Sequence, residues 1–523
     1  MPSHAAPDAP PLLTPSQFRA ATAAVMMTIL LSALDQTIVS VAVPTIARQL
    51  GNFEWMAWVI SGYLIASTAV TPLYGKFSDL YGRQRVMSLA IVAFMLTSAA
   101  CALAQSLPLL VLARVLQGAA GGGLIALAQS VIADVVPLRD RGRYQGYVSI
   151  VWAVASMAGP VVGGVLTEYL SWPWIFWINL PVGLLALVLV RQSLGALPQR
   201  GSAQKVDVNP KIDANPKIDA IGAVLLLAGV SALLIPITRV GQGAAWVEPV
   251  NLGSAAAALM LLMAFIAQEQ RHPDAIVPMH LFGNPVIVAS CGVLFICFFN
   301  FIALSVLVPL RLQITAGFSP GNSCLHLLPM TLAVPAAAFF SGRWLSRTGR
   351  VLPMQRAGVL LVPLALFGLG FAPASGGLAG ALLIAVGFGM GLQMPSTLIT
   401  VQQSVARHLI GTVTSFTVFF RLLGGAIGIA VLSSVLLALL RTHLPGELPG
   451  DLHGAAAQGM EALLDAAHGP HPLSSSADAA FRHVLWIAAA VSLLSWWLVR
   501  RLPDLQLHEA AGRAAQASAA AEI

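Results

Sequence analysis

Leu34-Asp35-Gln36-Thr37-Ile38-Val39 sets one acid inside the apolar stretch that runs from Ala20 to Thr45. A helix crosses a bilayer with about 20 mostly apolar residues, and this stretch is long enough to do so. Asp35 then lies at hydrocarbon depth. A carboxylate there costs at least ~2.5–3.5 kcal/mol, so it should face the protein interior. Two roles fit such a position: a structural acid hydrogen-bonded to a neighbouring helix, or a proton or cation site. The rest of the chain decides between them.

Composition excludes a solvated globular protein. Charged residues are 9% of the 523, where a soluble domain carries about 25%, and 57% are hydrophobic with a mean hydropathy of +0.81. The net charge of +7 does not mark a nucleic-acid footprint, because the basic residues are scattered through short loops. If the N-terminus is cytoplasmic, all but seven of the 28 Lys and Arg fall on the cytoplasmic side. The exceptions are Arg48, Arg239, Arg311, Arg441 and Arg482 outside, with Arg114 and Arg421 inside spans. That asymmetry obeys the positive-inside rule and places both termini in the cytoplasm. The four cysteines, Cys101, Cys291, Cys297 and Cys324, form no CxxC pair and read as buried, inert thiols. No cleavable signal precedes the first run.

Fourteen long apolar runs recur along the chain, which reads as an all-α integral membrane protein with 14 transmembrane helices. Residues 1–18 read as a disordered cytoplasmic tail and 19–194 as an N-terminal six-helix bundle. Residues 195–219 form a cytoplasmic linker with a tandem duplication, Asn209-Pro-Lys-Ile-Asp-Ala214 then Asn215-Pro-Lys-Ile-Asp-Ala220. Two inserted helices occupy 220–270. A C-terminal six-helix bundle covers 271–503, and 504–523 is a second tail. The bundle carries a large external loop over 439–480, with His443, His453, His468 and His471 as solvated side chains rather than a metal site.

The division into halves rests on a repeat. Gly75-Lys-Phe-Ser-Asp79-Leu-Tyr-Gly82-Arg83 is echoed by Gly342-Arg-Trp-Leu-Ser346-Arg-Thr-Gly349-Arg350, an offset of 267 from Gly75 to Gly342. Gly146, Gly159 and Gly163 of the fifth span are echoed by Gly411, Gly424 and Gly428, an offset of 265. Two features at nearly one offset imply duplicated halves. That is the pattern of a secondary transporter with its site at the midplane between them.

Four motifs in order carry a resemblance to the fourteen-helix drug:proton antiporters of the major facilitator superfamily. Leu34 to Pro44 is similar to the family's first-helix motif, departing at Ser40 and Val43. Gly75 to Arg85 resembles the loop between the second and third helices. Arg114-Val-Leu-Gln117-Gly118 resembles the fourth-helix motif, and Gly159-Pro160-Val-Val-Gly163-Gly164 the fifth-helix motif associated with antiporters.

The residues have readings of their own. Gly75 and Gly82 permit a tight turn, and Asp79, Arg83 and Arg85 can form a charge cluster that latches the halves and breaks when they rock. Ser346 in the echo leaves a degenerate second latch. An interior Arg114 would stabilise ionised Asp35, whereas a snorkelling one would reach the interface. Gly159-Pro160 permits a bend and Gly163 and Gly164 a close helix approach, so this segment should act as a hinge or seal. Gln117, Gln129, Asn300, Gln393, Ser396 and Thr397 are candidates to line a cavity, with Phe298, Phe299, Phe416 and Phe420. Arg421 either contacts substrate or pairs with carbonyls.

The resemblance implies a proton-coupled antiporter of the cytoplasmic (inner) membrane that exports hydrophobic or cationic compounds by alternating access. No metal and no cofactor is expected beyond the proton as coupling ion. The partners are small lipophilic or cationic substrates and the lipid bilayer, without nucleic acid; the resemblance also allows a periplasmic adaptor, which no residue pattern here marks. The alternatives are a narrow-specificity metabolite exporter, an uptake symporter, and a membrane enzyme or receptor. The last lacks a nucleotide-binding loop or an activated nucleophile.

Overall fold

The computed structural model describes residues 14–51, 55–137, 140–194, 219–241, 244–272, 275–406, 409–443 and 474–502. In a bilayer every backbone polar group must be satisfied within the segment, and the apolar runs accordingly fold as helices. The first half contains α1 (Pro15–Leu50), α2 (Met56–Tyr81), α3 (Arg83–Ala102), α4 (Leu107–Gly121), α5 (Leu124–Val135), α6 (Arg141–Tyr169), α7 (Trp174–Trp177) and α8 (Asn179–Leu194). An inserted pair follows, α9 (Ala220–Gly241) and α10 (Pro249–Arg271). The second half contains α11 (Pro285–Ala316), α12 (Pro320–Leu325), α13 (Leu328–Thr348), α14 (Leu352–Phe371), α15 (Gly377–Gln403), α16 (Ile410–His443) and α17 (Ser474–Arg500).

Thirteen of the described helical segments are long and apolar enough to cross a membrane. The 26-residue α2 is of comparable length but is not among them. It carries Ser61, Ser67, Thr68, Thr71, Lys76, Ser78 and Asp79 among its apolar residues.

Packing repeats between the halves. In the first, α1 packs on α6 and α8, and α2 and α3 pack on α4, with α3 also on α8. In the second, α11 packs on α16 and α17, and α13 and α14 pack on α15, with α14 also on α17. The contacts across the halves follow the same equivalence: α2 meets α16, and α6 meets α13. The echoed glycines sit where helices touch. A Cβ on Gly163 would lie 2.9 Å from the Ile38 carbonyl of α1, and one on Gly428 would lie 2.6 Å from the Phe299 Cα of α11. The inserted α9 packs on α10 and also on both α2 and α16, so it lies over the seam.

Several boundaries differ from the sequence reading. The tail expected over 1–18 gives way to helix at Pro15, because Thr14 and Gln17 form a capping box: Gln17 N–H donates to Thr14 Oγ1 at 3.3 Å and Thr14 N–H to Gln17 Oε1 at 3.0 Å. The loop expected over 439–480 is shorter at both ends, since α16 continues to His443 and α17 begins at Ser474. His453, His468, His471, the duplicated linker and the second tail lie outside the described residues. Cys101, Cys291 and Cys297 are buried as expected, but Cys324 is exposed.

Candidate functional site

Asp35 is fully buried, and two other spans converge on it. From α4, Arg114 Nη1 donates to Asp35 Oδ2 at 2.8 Å and Gln117 Nε2 to Oδ1 at 3.0 Å. From the start of α8, Asn179 Nδ2 donates to Oδ1 at 2.8 Å. Both carboxylate oxygens therefore carry charge-assisted or amide hydrogen bonds, each worth about 0.5–3 kcal/mol.

Arg114 is only 2% exposed, so it does not snorkel. Besides Asp35 it reaches Gln117 Oε1 at 2.7 Å and the Val59 carbonyl at 3.2 Å, and it lies 4.2 Å over the Tyr63 ring. Gly118 makes this geometry possible. A Cβ there would stand 2.9 Å from the Tyr63 Cα, so only glycine lets α4 lie this close to α2.

Asn179 and Ser98 belong to the same network and were missed from the sequence. Ser98 accepts from Asn179 Nδ2 at 3.0 Å and donates to the Phe176 carbonyl at 2.9 Å. A single neutral amide between Ile178 and Leu180, far along the chain from its acid, gives little signal. Its place inside the apolar run that begins at Trp174 was the one available clue.

A second cluster closes one face of the molecule, the face bearing the Gly75–Arg85 segment. Arg83 pairs with Asp79 at 2.7 Å and with Asp134 of α5 at 3.0 Å, and it also bonds Ser78. Asp79 then crosses to the second half. Its carboxylate accepts from the Gly411 amide at 3.2 Å, the Thr412 amide at 2.8 Å and Thr412 Oγ1 at 2.9 Å. These are free N–H groups at the start of α16, where a negative charge is favoured by the helix dipole. A Cβ on Gly75 would stand 2.7 Å from the Gly411 carbonyl, so the contact needs a glycine. Gly82 turns the chain from α2 into α3 at φ +88°, a conformation that glycine allows. Arg85 is exposed and outside the cluster.

In the equivalent contact between α6 and α13, Ser346 stands where α2 has Asp79. A Cβ on Gly142 would lie 2.8 Å from the Gly342 carbonyl, so the two backbones touch directly, while Ser346 donates to its own helix at Gly342.

The other expected residues divide. Gly159 is pressed on Thr37, whose Oγ1 donates to the Ala155 carbonyl at 3.0 Å, and Gly163 on Ile38. Gly164 faces open space, so the close approach expected of it is absent. Pro160 does not interrupt α6. Gln117 belongs to the Asp35 network rather than to a separate cavity wall. Asn300 is fully buried and donates to Ser492 of α17 at 3.1 Å; Gln393 donates within its own helix to Gly389 at 3.1 Å. Gln129 is buried. Phe416 stacks on Phe282 at 5.9 Å within the cluster that includes α9, so it is a packing residue beside the insert. Phe420 is half-buried against Phe419. Arg421 lies 4.6 Å over Phe298.

The fold and motifs agree with known proteins. A family profile described as Major Facilitator Superfamily matches residues 25–429. The chain is 32% identical over 404 residues to the multidrug transporter protein MdtP of Bacillus subtilis, covering 77% of this chain and 72% of that one. It is 31% identical over 423 residues to the efflux pump FUS6 of Gibberella moniliformis, covering 78% and 72%. An uncharacterized MFS-type transporter of Mycobacterium tuberculosis is 34% identical over 424 residues, but the match spans only 60% of its length. Among solved structures, the human organic anion transporter MFSD10 aligns with a TM-score of 0.63 at 16% identity, over 93% of this chain and all of that one. The proton:xylose symporter XylE aligns at 0.61 and 15%, over 94% and 97%. At such identities these two establish the fold alone. The helical spans and the family match together lead to one conclusion: this chain belongs to the major facilitator superfamily and is a multi-pass integral membrane protein.

Proposed function

We propose that this transporter is a proton-coupled antiporter that exports hydrophobic compounds from the cytoplasm by alternating access. The observation that carries the reading is the buried Asp35–Arg114 pair, 2.8 Å apart, on two spans of the first half. A proton taken up by Asp35 removes the ion pair but does not strand Arg114. The guanidinium keeps Gln117 Oε1, the Val59 carbonyl and the Tyr63 face. The carboxyl keeps its amide neighbours. Two arrangements of one network therefore differ by one proton, which is what a coupling site requires.

The link to rocking runs along α1. Two residues beyond Asp35, Thr37 is bonded to α6, and α6 carries Gly142 against the second half. Loosening the acid frees α1 to shift against α6, and the Asp79 contact opens as the halves part. The charge asymmetry supports fourteen spans with both termini cytoplasmic, which makes the Asp79 face the inner one, shut in this conformation. The inner membrane and the proton as sole coupling ion belong to the same proposal. Relatives that are named as a multidrug transporter and as efflux pumps support export over uptake.

The acid on which a preference for cationic substrates rested is already matched by Arg114. Hydrophobicity, rather than positive charge, is the part of the substrate reading that the site supports.

The test uses purified protein in proteoliposomes with a pH-reporting dye inside. Adding a compound that the protein protects cells against should drive protons opposite to it. Protons moving with the compound would make it a symporter, and no proton movement would remove the coupling. Asp35→Asn should abolish proton-driven flux while leaving gradient-free exchange of the same compound.

A further inference from the structure

Several arginines of the described membrane-length helices have acids. Arg114 has Asp35, Arg83 has Asp79 and Asp134, and Arg311 has Asp478 together with the Leu369 and Ala372 carbonyls. Arg421 has none among the described residues. Its Nε is buried with no hydrogen-bond partner, and the guanidinium carbon lies 4.6 Å over the face of Phe298.

The position is built. Gly424, Gly425 and Gly428 bring α16 against α11, with a Cβ on Gly425 falling 2.8 Å from Ile302 Cγ1 and one on Gly424 falling 2.9 Å from the Phe295 Cα. Arg421 lies one turn before them on the same side, which sets it over Phe298. Its neighbours Val418 and Leu422 face the first half, where they pack with Ile125, Ala126 and Trp152. Arg421 therefore stands at the edge of α16 between its own bundle and the opposite one, the place where transporters of this architecture hold their ligands. It is half-buried, so part of the guanidinium can be reached.

Charge balance points the same way. Asp35 and Arg114 neutralise each other, so the Asp35 site offers no net negative charge to a ligand. A guanidinium at hydrocarbon depth is costly unless something answers its charge, and an aromatic face answers only part of it. A planar fork of donors is matched best by a carboxylate or sulfonate.

We propose that Arg421 is the docking point for an anionic group on the substrate, so that the transported class is amphipathic monoanions with an apolar or aromatic body resting on Phe298. The proposal rests on the transporter reading and refines its substrate. It also has an energetic consequence. An interior-negative membrane potential drives anions outward, so export of this class is assisted where export of cations would be opposed.

The test is equilibrium binding to the purified full chain without any ion gradient, using two compounds of one shape and opposite charge: 2-naphthoate and 2-naphthylmethylammonium. The expected result is saturable binding of naphthoate at least about tenfold tighter than the ammonium, as a charge-assisted hydrogen bond provides. Arg421→Gln should bring naphthoate down to the level of the ammonium, and Arg421→Lys should keep most of the preference. Equal or tighter binding of the ammonium, no saturable naphthoate binding, or naphthoate affinity unchanged in Arg421→Gln would each overturn the proposal. If Arg421→Gln does not fold, competition on the unmodified protein decides: benzoate, and not benzylammonium, should displace naphthoate. Binding at zero gradient reads ligand charge and the proteoliposome assay reads coupling, so either can fail without the other.

Discussion

The carboxylate of Asp79 in the first half caps a helix of the second, with Oδ2 2.8 Å from the Thr412 amide at the start of α16. One acid is thus shared by the ion pair with Arg83 and by a helix N-terminus that moves away when the halves part. Asp79→Ala removes these bonds from the shut face only. With charge-assisted hydrogen bonds worth about 1.5–3 kcal/mol each, the population shut at this face should fall about tenfold or more. Spin labels at the exposed positions Arg85 and Arg343 report it as a longer distance distribution; an unchanged distribution would refute the capping role.

Removing one member of the Asp35 pair should cost more than removing both. Arg114→Met leaves a buried carboxylate with only amide donors, and breaking a buried pair in this way costs about 3–5 kcal/mol. The double variant with Asp35→Asn should recover part of that loss. Thermal unfolding in detergent measures the difference, and strict additivity of the two single changes would show that the pair is not coupled.

Asn179→Leu deletes the amide that donates to both Asp35 and Ser98. A loss of about 1–3 kcal/mol is expected, together with a changed pH profile of transport, because the amide bonds the proposed proton site directly. A variant with lowered stability and an unaltered profile would make Asn179 purely structural.

Gly342→Ala should wedge the shut face apart, since its Cβ would meet the Gly142 backbone. Flux should fall because the shut state is disfavoured. Gly164→Ala is the matched control: nothing lies within 4 Å of its Cβ, so stability should stay within about 0.5 kcal/mol and flux unchanged. Equal effects from the two alanines would discount the Gly142–Gly342 contact as a gate.

What was legible in the sequence follows the cost of each residue in its setting. Asp35 and Arg114 stand out because a charge inside an apolar run must have a partner, and two such charges in one half suggest each other. The echoed glycines were legible as a repeat, and the structure puts them at equivalent helix contacts. Asn179 and Asp134 were not: a neutral amide and an acid at a helix end each look ordinary until folding brings them to Asp35 and Arg83. Phe416 packs beside the inserted helix in this conformation, a neighbour that the sequence does not show, because an aromatic in an all-apolar helix gives no sign of which side it faces. The start of α1 was readable in Thr14-Pro15-Ser16-Gln17, whose capping pattern defines the helix entry more sharply than the onset of hydrophobicity.

The insert over the seam has a mechanical consequence. Leu226, Val230, Leu234 and Ile237 of α9 pack in one cluster with Ile65, Ala69 and Leu73 of α2 and with Leu423 and Ala430 of α16. Because α9 touches both halves, any rocking must slide it along one of them. The contact is made of aliphatic side chains, and none of the hydrogen bonds among the described residues ties α9 to α2 or α16. Hydrophobic attraction has no preferred direction, so such a surface can keep its grip while it shears. On this geometry α9 would keep contact with both halves as they turn, in the manner of a greased bearing.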